Sequence, residues 1–478
     1  MSAQILVQGR LVGVEDFLLA PPADRDNRAF EARLTWLAQL GETLPRALLT
    51  HLQLPLLLLG SSGGGQFLTI LPDQDRATQA AEFLTRANAV LSQATGGKVR
   101  VAWSATENLG DWTIVRKRLA EGMRGSLRPD VTTENFFDAF ATADANNDVI
   151  PRNLRDAAAI AFSFDFPALI APAGAESDPA IPRWDLAGHA STNSISMARH
   201  AARNGDVPAT PKELALRSNG AKLWGILRGE IDDFTTRIRR AASVEEHVSL
   251  SMTYQQFLAG EIELLCSQGD YFRRVTVLEA GSADFALFGS WDALAGFARE
   301  LERVFARFAD ENLKDLPGAE AKTMTMALTL AEPATPLARV WEASARDLAV
   351  AKSSDKDCFY ILDHVLEWKQ WKDASELKDT LVQLNEDFRG GSRFLAQLRN
   401  LYRKVESPDP DNTGDERLMA RAARFQRRFS GVANRREREF HKLRANLMKE
   451  MTGRRSRGKL RLKPEGLVAL EWARLLED

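Results

Sequence analysis

The strongest constraint on the fold is a recurrence. Gly63-Gly64-Gly65-Gln66-Phe67 and Gly281-Ser282-Ala283-Asp284-Phe285 superpose at a single offset of 218 residues, and their flanks follow them. In the first copy, Leu54–Leu59 precedes the glycine turn and Phe67–Leu71 follows it, as in a β-hairpin. Pro72-Asp73 then opens a helix reaching about Leu91, with Phe83, Leu84, Ala87 and Leu91 on its apolar stripe. Val99–Trp103 alternates like a strand. In the second copy Val275 and Val277 lie in a strand, Gly281–Asp284 turns, and Phe285–Phe288 returns. Ser290 stands where a helix N-cap belongs, before Leu294, Phe297, Leu301, Val304 and Phe308. Met324–Leu330 closes the unit as a strand.

Two copies of a β-turn-β-α-β unit predict an α+β protein built on two ferredoxin-like palms. Upstream of the first hairpin, Phe30, Leu34, Leu37, Leu40, Leu44 and Leu48 predict a helix over 26–52. Between the copies, Phe166–Trp184 holds Pro167, Pro172, Pro179 and Pro182 and is expected to be loop or linker. From about Leu337 to Val405 the pattern turns helical, and Ser407–Gly414 breaks it. The partition expected is a first palm at 1–125, an inter-palm helical or linker region at 126–205, a second palm at 206–345, and a helical C-terminal domain at 346–478.

With 44% apolar and 27% charged residues, the 478-residue chain has a globular composition. No apolar run approaches the roughly 20 residues of a membrane helix, and Met1-Ser2-Ala3-Gln4 lacks the basic start of a secretory signal. Cys266 and Cys358 are too few for a disulfide framework or a cysteine zinc site. A cytoplasmic protein without a membrane partner is expected.

The net charge of −2 hides a polarity. Residues 417–463 hold 17 Lys/Arg against three Glu, a local net of +14; with −3 beyond them, residues 1–416 carry −13. The basic arm places Arg424, Arg427, Arg428, Arg435, Arg436, Arg438, Lys442, Arg444, Arg454, Arg455 and Arg457 among Phe425, Phe429 and Phe440. These cations are candidates for RNA contact, since the guanidinium fork grips phosphate oxygens in pairs. The same run also suits a solvated helix face or a dock for an acidic protein.

The most chemical-looking region joins Lys222–Phe234 to the second hairpin. Glu230, Asp232 and Asp284 sit at strand ends and a turn, where carboxylates converge on Mg²⁺ or are simply solvated. Gly63, Gly64, Gly65, Gly281 and Ser282 are candidates for nucleotide binding, because glycine lets backbone approach a phosphate. The first loop lacks the Lys-Ser/Thr ending of a P-loop, so a plain tight hairpin turn explains it better. His51, His189, His200, His247, His364 and His441 are scattered, none is followed by Asp, and no Gly-x-Ser-x-Gly elbow occurs.

Read together, these segments resemble the large signature subunit of type III CRISPR–Cas effector complexes (the Csm/Cmr large subunit). Val7–Phe17 is similar to the family's opening G-D-x-x-G-I-Q-x-F segment, and Gly63–Pro72 to its GGG-x-F-x-x-x-x-P hairpin. Lys222–Phe234 is similar to the second-palm strand ending in D-V-D-N, and Leu278–Trp291 to the GGDD hairpin with its G-x-W. The match is collinear over most of the chain. It implies paired palms and a helical C-terminal domain within a guide-RNA assembly. Active members of the family convert ATP to cyclic oligoadenylate on target-RNA binding. Many also cut single-stranded DNA with an HD domain, and a cysteine-rich zinc module commonly separates the palms.

The departures from that pattern set the functional expectation. The chain opens at the first palm and has no His-Asp dipeptide, so HD-type DNA cleavage is not expected. The inter-palm region has no cysteine, leaving at most a zinc-free remnant of the module. GGDD has become Gly281-Ser282-Ala283-Asp284: Ala283 replaces a metal-binding carboxylate, and Glu230 replaces an Asp. Glu230, Asp232 and Asp284 are then remnants, with no catalytic residue, metal or cofactor expected. The chain is read as a scaffold binding crRNA and target RNA beside the crRNA 5′-tag-binding subunit, backbone subunits and a small helical subunit. The alternative is a synthetase in which these acids still hold Mg²⁺ or Mn²⁺ and turn over ATP. A middle case binds ATP between the palms without turnover.

Overall fold

The computed structural model describes residues 4–127, 149–174, 178–186, 193–316, 318–354 and 356–387. Beyond these it describes 395–396, 398–399, 442–443, 447, 449–454 and 460–477. The first palm runs β1 (Ile5–Val12), α1 (Val14–Leu18), α2 (Asn27–His51), β2 (Leu59–Gly63), β3 (Gln66–Leu71), α3 (Gln74–Thr95), β4 (Arg100–Glu107) and α4 (Trp112–Leu127). Its antiparallel sheet has the order β2-β3-β1-β4. The strand expected from Leu54 starts only at Leu59. Leu56–Leu58 form a 3₁₀ turn and Leu57 stays exposed, so this apolar run has no sheet face to fill.

The region expected to be linker is folded. A three-stranded sheet, order β6-β5-β7, is made by β5 (Ala159–Phe162), β6 (Ile170–Ala173) and β7 (Arg183–Asp185). Its prolines do not forbid it: Pro172 lies on edge strand β6, and the carbonyl of Pro182 accepts from the Phe162 N–H. A two-residue-per-strand hairpin, β8 (Arg203–Asn204) and β9 (Val207–Pro208), leads into the second palm.

The second palm runs α5 (Pro211–Leu216), β10 (Trp224–Ile231), α6 (Phe234–Arg239), α7 (Val244–Cys266), α8 (Gly269–Phe272), β11 (Val275–Ala280), β12 (Asp284–Ser290), α9 (Trp291–Asn312) and β13 (Met324–Ala331). Its core order, β11-β12-β10-β13, repeats that of the first sheet strand for strand. Ser290 occupies the N-cap of α9 but does not cap it. Its buried hydroxyl donates to the Leu214 carbonyl instead, fastening α5 to the sheet.

Past β13 the chain is not purely helical. After α10 (Leu337–Ser353), β14 (Cys358–Ile361) pairs parallel to β13, and β15 (His364–Glu367) pairs antiparallel to β14, extending the sheet to six strands. Then α11 (Trp368–Asp387) packs against the C-terminal helix Pro464–Glu477, where Trp371 and Trp472 stack at 4.4 Å. Between them β16 (Thr452–Arg454) and β17 (Leu460–Leu462) pair.

The palms share a core. Side chains alternate across β10, so Trp224 and Ile226 join the cluster that holds α2, while Leu227 and Ile231 join α7 and α9. Helix α2, capped by the Asp26 carboxylate accepting from the Arg28 N–H, touches β2 and β3 as well as β11 and α10. It is buried nearly all round because both palms close on it.

Candidate functional site

The duplication persists at atomic detail and brings the two glycine turns together. The Gly65 carbonyl accepts from the Leu11 N–H at 2.8 Å, and the Ala283 carbonyl accepts from the Ile231 N–H at 2.8 Å, the same bond in each copy. Gly64 (φ 56°) and Gly65 (φ 71°) take left-handed conformations that a side chain resists. The turns abut so closely that a Cβ on Gly281 would lie 3.1 Å from the Gly64 Cα. Glu42 of α2 fixes this approach. Its carboxylate accepts from Ser62 Oγ and from Gln255 Nε2 of α7, each at 2.7 Å, and pairs with Arg46 at 2.7 Å.

A cavity of about 810 Å³ opens on one side of the touching turns, bordered by Gly63, Ser282, Ala283 and Asp284 and by helices α4 and α6. A smaller cleft of about 110 Å³ on the other side is lined by Gly64, Gly65, Gly281 and Glu279. All five expected nucleotide-binding residues therefore meet at one seam, and Asp284 reaches both spaces. Asp284 is exposed at the head of β12, yet partial desolvation by the surrounding turns raises its carboxyl, against the pull of Arg228. Burial, and then Asp284 itself, lifts Glu279 in the same direction.

The three acids that a metal site would have to bring together do not converge. Glu230 lies opposite Asp284 in the β10–β12 ladder, but its carboxylate is 2.8 Å from Lys352 Nζ. Asp232, only 3% exposed, accepts from Thr325 Oγ1 at 2.7 Å, Thr323 Oγ1 at 2.8 Å and the Asp357 N–H at 3.0 Å. Its lone pairs serve the sheet, not the cavity. Neighbouring Asp233 is 2.7 Å from Lys356 Nζ. Ala283 offers no ligand, and among the described residues no three His, Cys, Asp or Glu stand where they would hold a metal. A divalent ion pair of the palm-cyclase kind does not fit this donor set.

Lys352 and Lys356 were not anticipated from the sequence. The one available signal is that Glu230–Lys352 and Asp233–Lys356 are separated by nearly equal stretches, 122 and 123 residues. Arg116 and Arg239, which face the same cavity from α4 and α6, also went unmarked. Of the basic arm, Lys442 is helical and exposed and Arg454 ends β16. Arg424, Arg427, Arg428, Arg435, Arg436, Arg438, Arg444, Arg455 and Arg457 lie outside the described residues.

His247 of α7 borders the large cavity, its ring 5.2 Å from Trp112 and its Nδ1 without a hydrogen-bond partner. Burial, helped by the Arg116 charge, lowers its imidazole to about 4. The native form therefore prefers the neutral ring. Its contribution is complete above the unfolded value near 6.5 and is lost as pH falls from there through 4. His247→Phe is expected to remove about 2–3 kcal/mol of the acid sensitivity between about pH 7 and pH 4.5. Urea midpoints of the two proteins at both pH values measure this; parallel losses in wild type and variant would refute it.

Two palms of one strand order, fused in one chain and meeting at glycine hairpins, define a paired-palm protein. A family model described as Csm1 subunit domain B matches residues 3–117, and one described as Cas10/Cmr2, second palm domain, matches residues 223–360. Together they span more than half the chain, which belongs to the Cas10/Csm1 large-subunit family. Among solved structures it is similar to a Csm1–Csm4 subcomplex of the type III-A CRISPR-Csm interference complex. The TM-score is 0.70 at 15% identity, covering 100% of this chain and 70% of that one. Csm1–Csm4 cassettes in complex with cA4 and with AMPPNP each match with TM-score 0.71 at 16% identity and the same coverage. No curated protein matches. Among the described residues no helix is long and apolar enough to cross a membrane.

Proposed function

We propose that this chain is the non-catalytic large subunit of a type III CRISPR ribonucleoprotein, acting in the cytoplasm in antiviral defence. The observation that carries the reading is that Glu230 and Asp233 are each neutralised by a lysine while Asp232 is consumed by the sheet. Metal-assisted phosphoryl chemistry needs free, converging carboxylates. The solved relatives are Csm1–Csm4 assemblies, which supports a Csm4-type neighbour here, with crRNA, target RNA, backbone subunits and a small helical subunit completing the particle. The arm from Arg424 to Arg457 is assigned to phosphate contact within it. Relatives in complex with AMPPNP and with one ATP support a second element of the reading: the inter-palm cavity binds ATP without turning it over.

The test is oligoadenylate formation by the complex purified with its guide RNA, given cognate target RNA, ATP and either Mg²⁺ or Mn²⁺. No product is expected from a complex that binds target. A target-dependent product that disappears in Asp284→Ala would overturn the reading and establish a synthetase.

A further inference from the structure

We infer that the inter-palm cavity holds a nucleoside triphosphate through fixed cationic side chains, with no divalent ion required. The inference deepens the ATP-binding element of the proposed function and rests on it. A two-metal palm site supplies positive charge to phosphate oxygens from ions gathered by carboxylates. Here the carboxylates gather ammonium groups instead: Lys352 Nζ sits 2.8 Å from Glu230, and Lys356 Nζ 2.7 Å from Asp233. Lysine binds phosphate as a point charge, and an ammonium with one acidic neighbour still has donors left for a second anion.

The same cavity also holds two arginines that no carboxylate among the described residues pairs. Arg116 comes from the first palm and Arg239 from the second, and both face the cavity. The two are near enough that Arg239 adds to the burial that depresses the Arg116 guanidinium. Arg116 donates only to the Ile238 carbonyl, and neither arginine has a carboxylate partner among the described residues. Lys117 is paired with Glu121 at 4.0 Å, so Arg116, Arg239, Lys352 and Lys356 are the four cations that face three carboxylates, those of Glu230, Asp233 and Asp284. Unneutralised like charges aimed into one space are unfavourable until a polyanion fills it. The volume, about 810 Å³, lies in the roughly 300–1,000 Å³ range of small-ligand sites. The Gly63 and Ser282 turns border the same cavity, where glycine lets a phosphate come close to the backbone.

The test is equilibrium binding of ATP and of inorganic tripolyphosphate to the full chain, in excess EDTA and in excess Mg²⁺. Both probes are expected to bind at least as tightly in EDTA, because Mg²⁺ masks phosphate charge that the side chains otherwise meet. Arg239→Glu, at an exposed position outside both cores, is expected to weaken binding about tenfold or more in either condition. Arg116→Gln should do so less, since no repulsive charge is introduced. ATP bound only with Mg²⁺ would overturn the inference and leave the ATP-binding reading intact. ATP bound in neither condition would overturn both. Unchanged affinity in Arg239→Glu and Arg116→Gln would place the ligand elsewhere.

Discussion

Asp232→Ala is expected to destabilise the second palm by about 3–5 kcal/mol, which a leftward shift of its urea midpoint would report. The carboxylate is 3% exposed and takes three donors, the hydroxyls of Thr323 and Thr325 and the backbone N–H of Asp357. These donors belong to the approach to β13, to β13 itself and to the entry of β14, so one side chain joins three segments of the six-stranded sheet. Removing it strands the buried Thr325 hydroxyl and takes the partner from the partly buried Thr323 hydroxyl and Asp357 amide. The sign separates two roles. Acids clustered to await a metal repel one another, so deleting one usually leaves stability unchanged or improved. Asp284→Ala is the internal contrast. Asp284 is exposed at the start of β12 and its charge opposes that of nearby Glu279, so that variant is expected to be neutral or slightly more stable at pH 7. If Asp232→Ala left the midpoint where it was, the structural role assigned to Asp232 would be wrong.

The repeated palm was readable because its cues are local. A glycine turn, a following Phe and a helix with a clear apolar stripe recur at one spacing, and the hairpin strands β2–β3 and β11–β12 pair with their sequence neighbours. Where the sequence misled, the cue was absent or reversed. The β14–β15 hairpin turns at Leu362 (φ 51°) and Asp363 (φ 61°), both left-handed, where a type I′ turn normally advertises itself with Asn-Gly or Asp-Gly. With no glycine there, Cys358–Glu367 passes for more helix. The small inter-palm sheet hides behind proline, which marks edge strands as readily as loops. The site was half legible for the same reason. The glycine turns and Glu230, Asp232 and Asp284 could be picked out from their neighbourhoods. The fate of the acids could not, since it is decided by Lys352, Lys356, Thr323 and Thr325, which lie about a hundred residues away and carry no motif.

The second large effect is expected at Gly229, and it shows why the two copies kept the same interlock. In the β10–β12 ladder Gly229 stands opposite Phe285, and in the β1–β3 ladder Gly9 stands opposite Phe67. Each ring lies across the glycine where a side chain would be. A Cβ on Gly229 would meet the Phe285 ring at 2.5 and 2.7 Å and Met326 Cγ at 3.0 Å. Phe285 is fully buried, so the ring has nowhere to go, and Gly229→Ala is expected to cost more than about 3 kcal/mol despite adding one methyl group. Phe285→Ala empties the space and is expected to cost about 3–5 kcal/mol by cavity formation. In the double variant the new methyl enters the space the ring has left. The combined loss should then fall short of the sum by roughly 1–3 kcal/mol, measurable as coupling in a double-mutant cycle from urea midpoints. Additive losses would mean the strands separate to admit the methyl and that ring and glycine do not depend on each other. Gly9→Ala with Phe67→Ala should couple in the same sense. The interlock also reaches the cavity, because Asp284 and Gln66 are the residues before these rings. A ring forced off its glycine drags the adjoining turn with it, so loss of ATP binding should accompany loss of stability in Gly229→Ala.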